Sequence, residues 1–564
     1  MTFFPLLLSL IAGGRQSGAP DSVAVLKAAR RARDAFETTR RVSVPERPSG
    51  SGGARYQIIG RVRYWYEGGD ERDSAPPEPR RIREARARLL ATLDNAGAAL
   101  PGDEWIVGQR VRYLLEDSQP SAAARVAEQC QAVRWWCEAL AGLVRHAERD
   151  YAGADSLFTA ALADMPDDER CRWSDVSPLL EGELAKRYRE LDCAGRAAFE
   201  ERWWWLARPL YSLPANDRLT EHFARQTMVR IEQGRRTTFG LYWENDLRDV
   251  LLRYGWPTWW TREPPASPML ESEPNITGHD PSPAFGFTPS ARVFDEPGRT
   301  RPEDWSLDPP QARERYAPAY AKAFGYLDHQ AALFRRGDSC VMVAAFDLSD
   351  DTLFAERPAT AALALAADEH TTFVARDSGV TGTRALAATA PCEPLLFSLE
   401  AVAPRERHAA RARYGIDLAP RPDGRPAISD LLLFDPPDSL PATLEAAMVH
   451  ALGSTRVPST RNLGVFWQMY GLDPAQGSVS MSLTMTRQGT SWLRRAVESV
   501  GLASPRRDVQ LQWQEVPEVP QVTPRALAID VSGLAPGRYV IEVTVTSAGG
   551  ETITARREVV IERR

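Results

Sequence analysis

The feature that most constrains this chain is a change of hydrophobic period partway along it. From Asp21 to about Gln233, apolar residues recur at three- and four-residue steps in an Ala-, Leu-, Arg- and Glu-rich background, the pattern of amphipathic helices. Beyond about residue 330, short alternating runs bounded by turn residues take over, the pattern of strands. One core cannot serve both over 564 residues, a length several times the usual domain size of roughly 100–200 residues. The expected fold class is therefore multidomain α + β, with an N-terminal helical-repeat solenoid followed by two β-sandwiches. A formal charge of -6, from 69 basic and 75 acidic residues, makes no electrostatic case for nucleic acid as a partner. Of the basic residues only Lys27, Lys186 and Lys322 are lysine, a skew that reads as GC-rich coding.

The N-terminus and the cysteines bear on compartment. Phe3 to Ala12 is apolar, long enough for a secretory h-region and too short to span a bilayer core of ~30 Å as a helix. Residues 1–14 read as a signal peptide cut after Gly14, with no basic residue ahead of the apolar run, and no integral membrane span is expected elsewhere. The six cysteines form an even set, which in an exported protein is a disulfide framework. Fifteen pairings are formally open. Sequence proximity favours Cys130 with Cys137, Cys171 with Cys193, and Cys340 with Cys392. Seven residues along one straight helix would separate Cys130 from Cys137 by about 10 Å, so that bridge needs a turn between them. No CxxC, HxH or HExxH occurs, and no metal or cofactor is expected.

The helical region is assigned to 21–234, interrupted by a Gly/Ser/Pro loop within 45–60 and a polar, Pro-rich stretch at 70–80. Within 135–166, Gly142 is followed by Ala154, Phe158, Ala161 and Pro166. These five positions resemble the tetratricopeptide repeat, in which small residues let two antiparallel helices approach and proline ends the second. The family's early Trp and first-helix Tyr are here Glu138 and Arg145. A fainter copy at 101–132 places Gly108 and Ala127 at 34 residues ahead of Gly142 and Ala161. Stacked repeats would set Cys130 at the end of one helix and Cys137 near the start of the next. Further on, Asn216 reads as an N-cap. In Trp203-Trp204-Trp205 at most two rings are expected to share the core.

Next comes Phe239-Gly240-Leu241-Tyr242-Trp243-Glu244-Asn245-Asp246, and then Val250 to Pro257. With the segment Asn216 to Arg225, this resembles the GWxTD domain of exported bacterial proteins. Trp243, Asp246, Arg253, Tyr254, Gly255 and Pro257 sit at matching positions, whereas Tyr242 and Asn245 depart from the motif. The resemblance implies an exported multidomain protein of bacterial origin and brings no established catalytic residues with it. Gly255 reads as a positive-φ terminator and Pro257 as a stop, while 249–254 fits strand or helix equally. The whole junction is taken as 216–330. Its Pro-rich part, Pro257 to Pro318, is expected to form no regular element, and a short helix is expected at about 312–330. Asn275-Ile276-Thr277 is a glycosylation sequon, of little meaning in a bacterial protein.

Five alternating runs between 340 and 402 define the first sandwich, assigned to 331–405, with Cys340 and Cys392 flanking its first and last strands. A second set of strands is assigned to 425–564, with a short helix at Ser491 to Val500 inserted between them; its turn Gly533-Leu534-Ala535-Pro536-Gly537 before RYVIEV resembles the last hairpin of immunoglobulin-like modules, which implies a second, immunoglobulin-like sandwich.

None of this carries a reaction. There is no GxSxG and no Gly-rich phosphate loop. Asp167-Asp168 and Asp350-Asp351 read as turn residues, Glu221-His222 as helix neighbours pointing different ways, and Arg336-Gly337-Asp338 as a hairpin turn. The expectation is an exported, non-enzymatic scaffold or interaction protein of the bacterial envelope, its partners other envelope proteins. Two alternatives stand beside it. One is glycan binding on stacking platforms drawn from Trp135-Trp136, Trp203 to Trp205 and Trp259-Trp260. The other is a hydrolase whose site is assembled from distant residues.

Overall fold

The computed structural model describes residues 22–563 except 47–54, 60–61, 67–75, 234–242, 264–274, 281–282, 284, 309–313, 350, 355–356, 417–424, 460–461, 473, 475–476, 489–506, 518–521 and 548. The signal-peptide segment and the helix expected at Ser491 to Val500 lie outside the described residues.

The first elements are α1 (Ser22–Ser43), β1 (Arg55–Ile59), β2 (Val62–Tyr66), α2 (Arg80–Ala99), α3 (Glu104–Glu116), α4 (Pro120–Glu128), α5 (Arg134–Ala147), α6 (Tyr151–Asp164) and α7 (Asp167–Ser174). Next come α8 (Gly182–Glu190), α9 (Cys193–Leu206), α10 (Asp217–Glu232), α11 (Asn245–Tyr254), β3 (Trp259–Glu263), β4 (Asn275–Asp280) and α12 (Ala291–Asp295). The first β-rich stretch contains β5 (Ala323–Tyr326), β6 (His329–Arg336), β7 (Ser339–Asp347), β8 (Ala359–Ala366), β9 (Thr372–Val380), β10 (Thr383–Pro391), β11 (Leu395–Ala403) and β12 (His408–Ile416). The second contains β13 (Ala427–Ile428), β14 (Leu432–Phe434), α13 (Leu444–Val449), β15 (Arg456–Pro458), β16 (Asn462–Tyr470), β17 (Val479–Arg487), β18 (Arg507–Glu515), β19 (Val522–Asp530), β20 (Gly537–Thr546) and β21 (Thr552–Glu562). The chain is thus a mixed α and β protein. It divides into two compact units, one gathering Met1–Arg170, His222–Leu252 and Trp256–Asp280, the other Cys171–Glu221, Arg253–Gly255 and Pro281–Arg564.

In the first unit, helices α2 to α6 follow one another through short turns. Asp103 and Asp150 cap α3 and α6 by accepting from the amides of Ile106 and Gly153. The expected loop within 45–60 is in part a hairpin: β1 pairs with β2, and β2 continues into a four-stranded sheet of order β1-β2-β4-β3. The segments RYQII and VRYWY are rich in β-branched and aromatic residues, and pairing decides their state. The same sheet corrects the reading of the Pro-rich stretch. Trp259–Glu263 and Asn275–Asp280 are strands between its prolines, and Ala291–Asp295 is a helix capped by Ser290.

In the second unit, sheets β10-β7-β6 and β5-β12-β11-β8-β9 feed one apolar cluster, including Met342, Phe346, Leu363, Leu386, Phe397 and Leu399. The strands β5 and β12 extend this body beyond 331–405. Among the described residues of 312–330 no helix forms: Pro318 interrupts it, and Ala323–Tyr326 pairs with β12 instead. A second cluster, including Leu433, Trp467, Leu483, Ile541 and Val543, is fed by the sheet around β16 and by β15-β21-β20-β17-β18. A third joins Phe334 and Val343 of the first body to Phe434, Leu444 and Phe466 of the second, so the two β bodies share a core. The outer edge of β6 is closed as well. Leu333 N–H donates to Asp430 Oδ2 at 2.9 Å, Arg335 N–H to Tyr470 Oη at 2.9 Å, and Arg557 Nη2 to the Ala331 carbonyl at 2.7 Å. Arg336-Gly337-Asp338 turns between β6 and β7, with Gly337 at φ 61°.

Candidate functional site

The repeat-motif residues meet in the α5–α6 hairpin. Gly142 faces the Phe158 ring so closely that a Cβ would lie 2.8 Å from Cε1, and Ala154, Phe158 and Ala161 are buried around it. Pro166 follows α6, and its carbonyl accepts from Glu169 and Arg170 as α7 begins. Thirty-four residues upstream of Gly142, Gly108 makes room for Trp136 and Ile231, at 3.0 and 3.3 Å from where its Cβ would be. Cys130 and Cys137 are bridged across the α4–α5 turn, their Cα atoms 5.6 Å apart. The segment of α10 in this unit lies across these helices. Gln109 Nε2 donates to the Ile231 carbonyl at 2.9 Å, Arg230 stacks over Trp135 and Trp136 at 4.7 and 5.3 Å, and Phe223 packs on Phe158.

A buried chain of guanidinium and carboxylate groups runs beneath, and no sequence motif marks it. Arg33, Glu37 and Arg40 fall on one face of α1 at steps of four and three residues. Arg33 reaches Glu232 at 3.3 Å, and Arg112 pairs with Glu232 and, at 3.5 Å, with Glu37. Tyr113 Oη donates to Glu37 at 2.6 Å. Arg40 and Arg86 converge on Glu116, and Arg86 also holds Asp117 at 2.8 Å and Glu78. Burial pushes the Glu37 carboxyl up, but Arg40, Arg112 and Arg33 together outweigh it and hold the group at about 2. The Tyr113 hydroxyl is pushed the other way, upward, chiefly by burial. The only sequence signal was the helical spacing of charged residues on α1, which reads by default as a solvated face.

In the second unit, the three rings Trp203, Trp204 and Trp205 are all buried, which corrects both the expectation that at most two share the core and their assignment as ligand-stacking platforms. Helix α9 is enclosed on several sides. Leu179, Leu184 and Tyr188 cover one, Val293 and Phe294 another, and Ala364, Ala366 and Leu396 of the sheet a third. Trp135 and Trp136 are buried too, and Trp259 stacks flat on His279 at 3.8 Å. Arg218 lies between the Trp204 and Tyr316 rings and pairs with Glu314, Nε to Oε2 being 2.9 Å. Tyr316 Oη donates to Asp217 at 2.5 Å. The backbone after α9 is gripped from the sheet: Tyr211 and Ser212 amides donate to Glu400, each at 2.8 Å, while Arg413 and Arg411 donate to the Arg208 and Pro209 carbonyls at 2.7 Å.

The junction-motif residues are local supports. Trp243 precedes α11 and Asp246 lies in its first turn, where a carboxylate favours the helix dipole. The ambiguous segment 249–254 is thus helical. Arg253 donates to Tyr254 Oη at 2.8 Å, its carbonyl accepts from the Arg315 amide, and Gly255 ends the helix at φ 80°. Pro257 packs against Gly278, where a Cβ would lie 2.5 Å from its ring. Gly240 and Tyr242 lie outside the described residues. Asn216 Oδ1 accepts from the Leu219 amide at 3.2 Å, the capping contact. Cys171 bridges to Cys193, and Cys340 to Cys392, the latter tying neighbouring strands β7 and β10 and not the first and last strands of the body.

Among the described residues, no group of three or more His, Cys, Asp or Glu side chains is placed to hold a metal ion, and no helix is long and apolar enough to cross a membrane. No family model matches the chain, and no curated protein matches it. Among solved structures it is similar to one described as a tetra-tandem repeat in the extending region of a large adhesion protein. That match has 11% identity and a TM-score of 0.14, and covers 42% of this chain and 49%, about half, of the other.

Proposed function

We propose that this protein is an exported, non-enzymatic scaffold of the bacterial cell envelope that holds other envelope proteins. In this reading α3 to α6 are tetratricopeptide-like hairpins, the segment 216–330 is a GWxTD-like junction, and the two sheet pairs are β-sandwiches, the second immunoglobulin-like. The observation that carries it is the use to which buried ionisable groups are put. Glu400, Arg411 and Arg413 grip a backbone segment, and Arg33, Glu37, Arg112 and Glu232 tie α1, α3 and α10 together. Groups spent on holding framework are unavailable to substrate, and such networks serve position more than net stability. Three disulfides add further staples and suit an oxidising compartment. The test is cross-linking of the full chain in envelope extracts, followed by size-exclusion chromatography of the purified protein. Recovery of specific envelope proteins supports the reading; a protein that stays monomeric and captures none sinks it.

A further inference from the structure

Strand β18 is a sheet edge: it ends the order β15-β21-β20-β17-β18, and among the described residues it pairs with β17 alone. The N–H and C=O groups on its outer side are a template for one more strand. Other edges of the second unit are blunted. Strands β5, β13, β14 and β15 run to four residues or fewer, β19 carries Pro524, and β9 carries Arg376, Asp377 and the positive-φ Gly379. The edge of β6 is closed by Asp430, Tyr470 and Arg557. By contrast β18 has nine residues and no Pro, Gly or Lys. Its register against β17 shifts only between Met485 and Thr486, so 509–515 is regular, with Glu515 its one charge. Two apolar rows of the core run out through this edge, one along Val543, Leu483 and Leu511, the next along Val545, Met481 and Trp513. Val543 and Leu483 are fully buried, whereas Leu511 is 40% exposed and Trp513 half-buried. On the opposite face Gln510, Gln512 and Gln514 are all exposed.

The stretch 509–515 matches itself. Laid antiparallel on a second copy about a two-fold axis at Gln512, it sets Leu511 opposite Trp513, Gln510 opposite Gln514, and Gln512 opposite Gln512. Both interrupted rows then continue, because Leu511 is followed by the second copy's Trp513, and Trp513 by its Leu511. Apolar–aromatic pairs of this kind stabilise neighbouring strands. On the other face the glutamines meet as pairs whose amides can both donate and accept. The end positions set Val509 opposite Glu515, whose carboxylate is already held by Arg525 Nε at 2.8 Å and Trp513 Nε1 at 3.1 Å, so no unmatched charge enters the seam. We propose that the chain forms a two-fold homodimer by antiparallel pairing of β18 with β18 centred on Gln512, which joins two five-stranded sheets into one continuous sheet. The dimer does not depend on the scaffold reading. A seam of one strand pair buries far less than a standard interface, so association is reversible and concentration-dependent.

The test is sedimentation velocity of the purified full chain over a roughly hundredfold range of concentration, where a monomer-to-dimer shift is expected. The combined substitution Q510K, Q512K and Q514K sets like charges opposite one another across the seam, at exposed positions that leave the core untouched. The combined substitution Q510E, Q512E and Q514E does the same with the other sign. Each variant alone should self-associate about tenfold more weakly, and an equimolar mixture of the two should dimerise again, since every pair is then of opposite charge. A separate variant, Q512C, reads the position of the axis. All six native cysteines are bridged, so a short bis-maleimide should join two Q512C chains through the added thiol. A wild-type chain that stays monomeric throughout, or a dimer that neither charged variant weakens, would overturn the proposal. So would a mixture that associates no better than its components, or Q512C chains that the reagent leaves unjoined.

Discussion

Replacing Glu200 by Gln should stabilise the second unit above neutral pH and leave it nearly unchanged in mild acid. Glu200 is 7% exposed on α9, and its carboxyl accepts from the Tyr188 hydroxyl, which in turn accepts from the Val176 amide at 3.4 Å. Burial first, then the nearby Asp175, pushes the carboxyl up to about 8 against the opposing pull of the Tyr188 hydrogen bond and Arg196. The folded state therefore keeps a proton that the unfolded chain releases above pH ~4.5. Stability falls as pH rises through that window, and the loss is complete above about 8. At one pKa unit per 1.36 kcal/mol, the ceiling at pH 7 is roughly 3 kcal/mol, and structural relaxation should leave about 1–2. Gln can still accept from Tyr188 but has no proton to lose. Hydrogen exchange of the α9 amides, read by mass spectrometry for both proteins at pH 5 and pH 8.5, isolates the effect, since intrinsic exchange rates cancel at each pH. Greater protection in E200Q at pH 8.5 but not at pH 5 is expected. An equal difference at both values, or a variant less protected at pH 8.5, would refute the reasoning.

Acid should act on the first unit in the opposite sense. Glu37 is held at about 2, so its contribution, roughly 3 kcal/mol at most, is present above pH ~4.5 and lost as pH falls toward 2; urea midpoints of that unit should drop over this window, and less so in E37Q. Gly142→Ala should destabilise the α5–α6 hairpin by roughly 1–2 kcal/mol, because the overlap with the Phe158 ring outweighs the gain in helix propensity; Phe158→Leu in that background should restore part of the thermal midpoint. Removing the Cys340–Cys392 bridge should cost more than removing Cys130–Cys137. With sequence separations of 52 and 7 residues, chain entropy sets these losses at roughly 4 and 2 kcal/mol, and urea unfolding of the two Cys→Ser pairs should reproduce the order.

The change of hydrophobic period was enough to place a helix-rich part before a strand-rich one, because amphipathic repeats of 3.6 and 2 are local properties of the chain, though it missed β1 and β2. The close approach at Gly142, Ala154, Phe158 and Ala161 was likewise legible, since only small residues allow it at that spacing. Pairing between distant segments was not. Arg55–Ile59 and Asn275–Asp280 became strands of one sheet only because β2 joins them, and Ala323–Tyr326 took strand geometry from β12 where local pattern favoured helix. The buried charges were hidden for a related reason. Arg33 and Glu37 look like solvent-facing residues until Arg112 and Glu232 arrive from other helices to neutralise them. Trp203 to Trp205 could all be buried only because α9 is covered from more than two sides. The sequence by itself determined the mixed α and β class, the even cysteine set and the sites of close helix approach, all of which depend on neighbours along the chain. Tertiary structure decided which charges and rings lie inside, because burial is set by what packs from elsewhere.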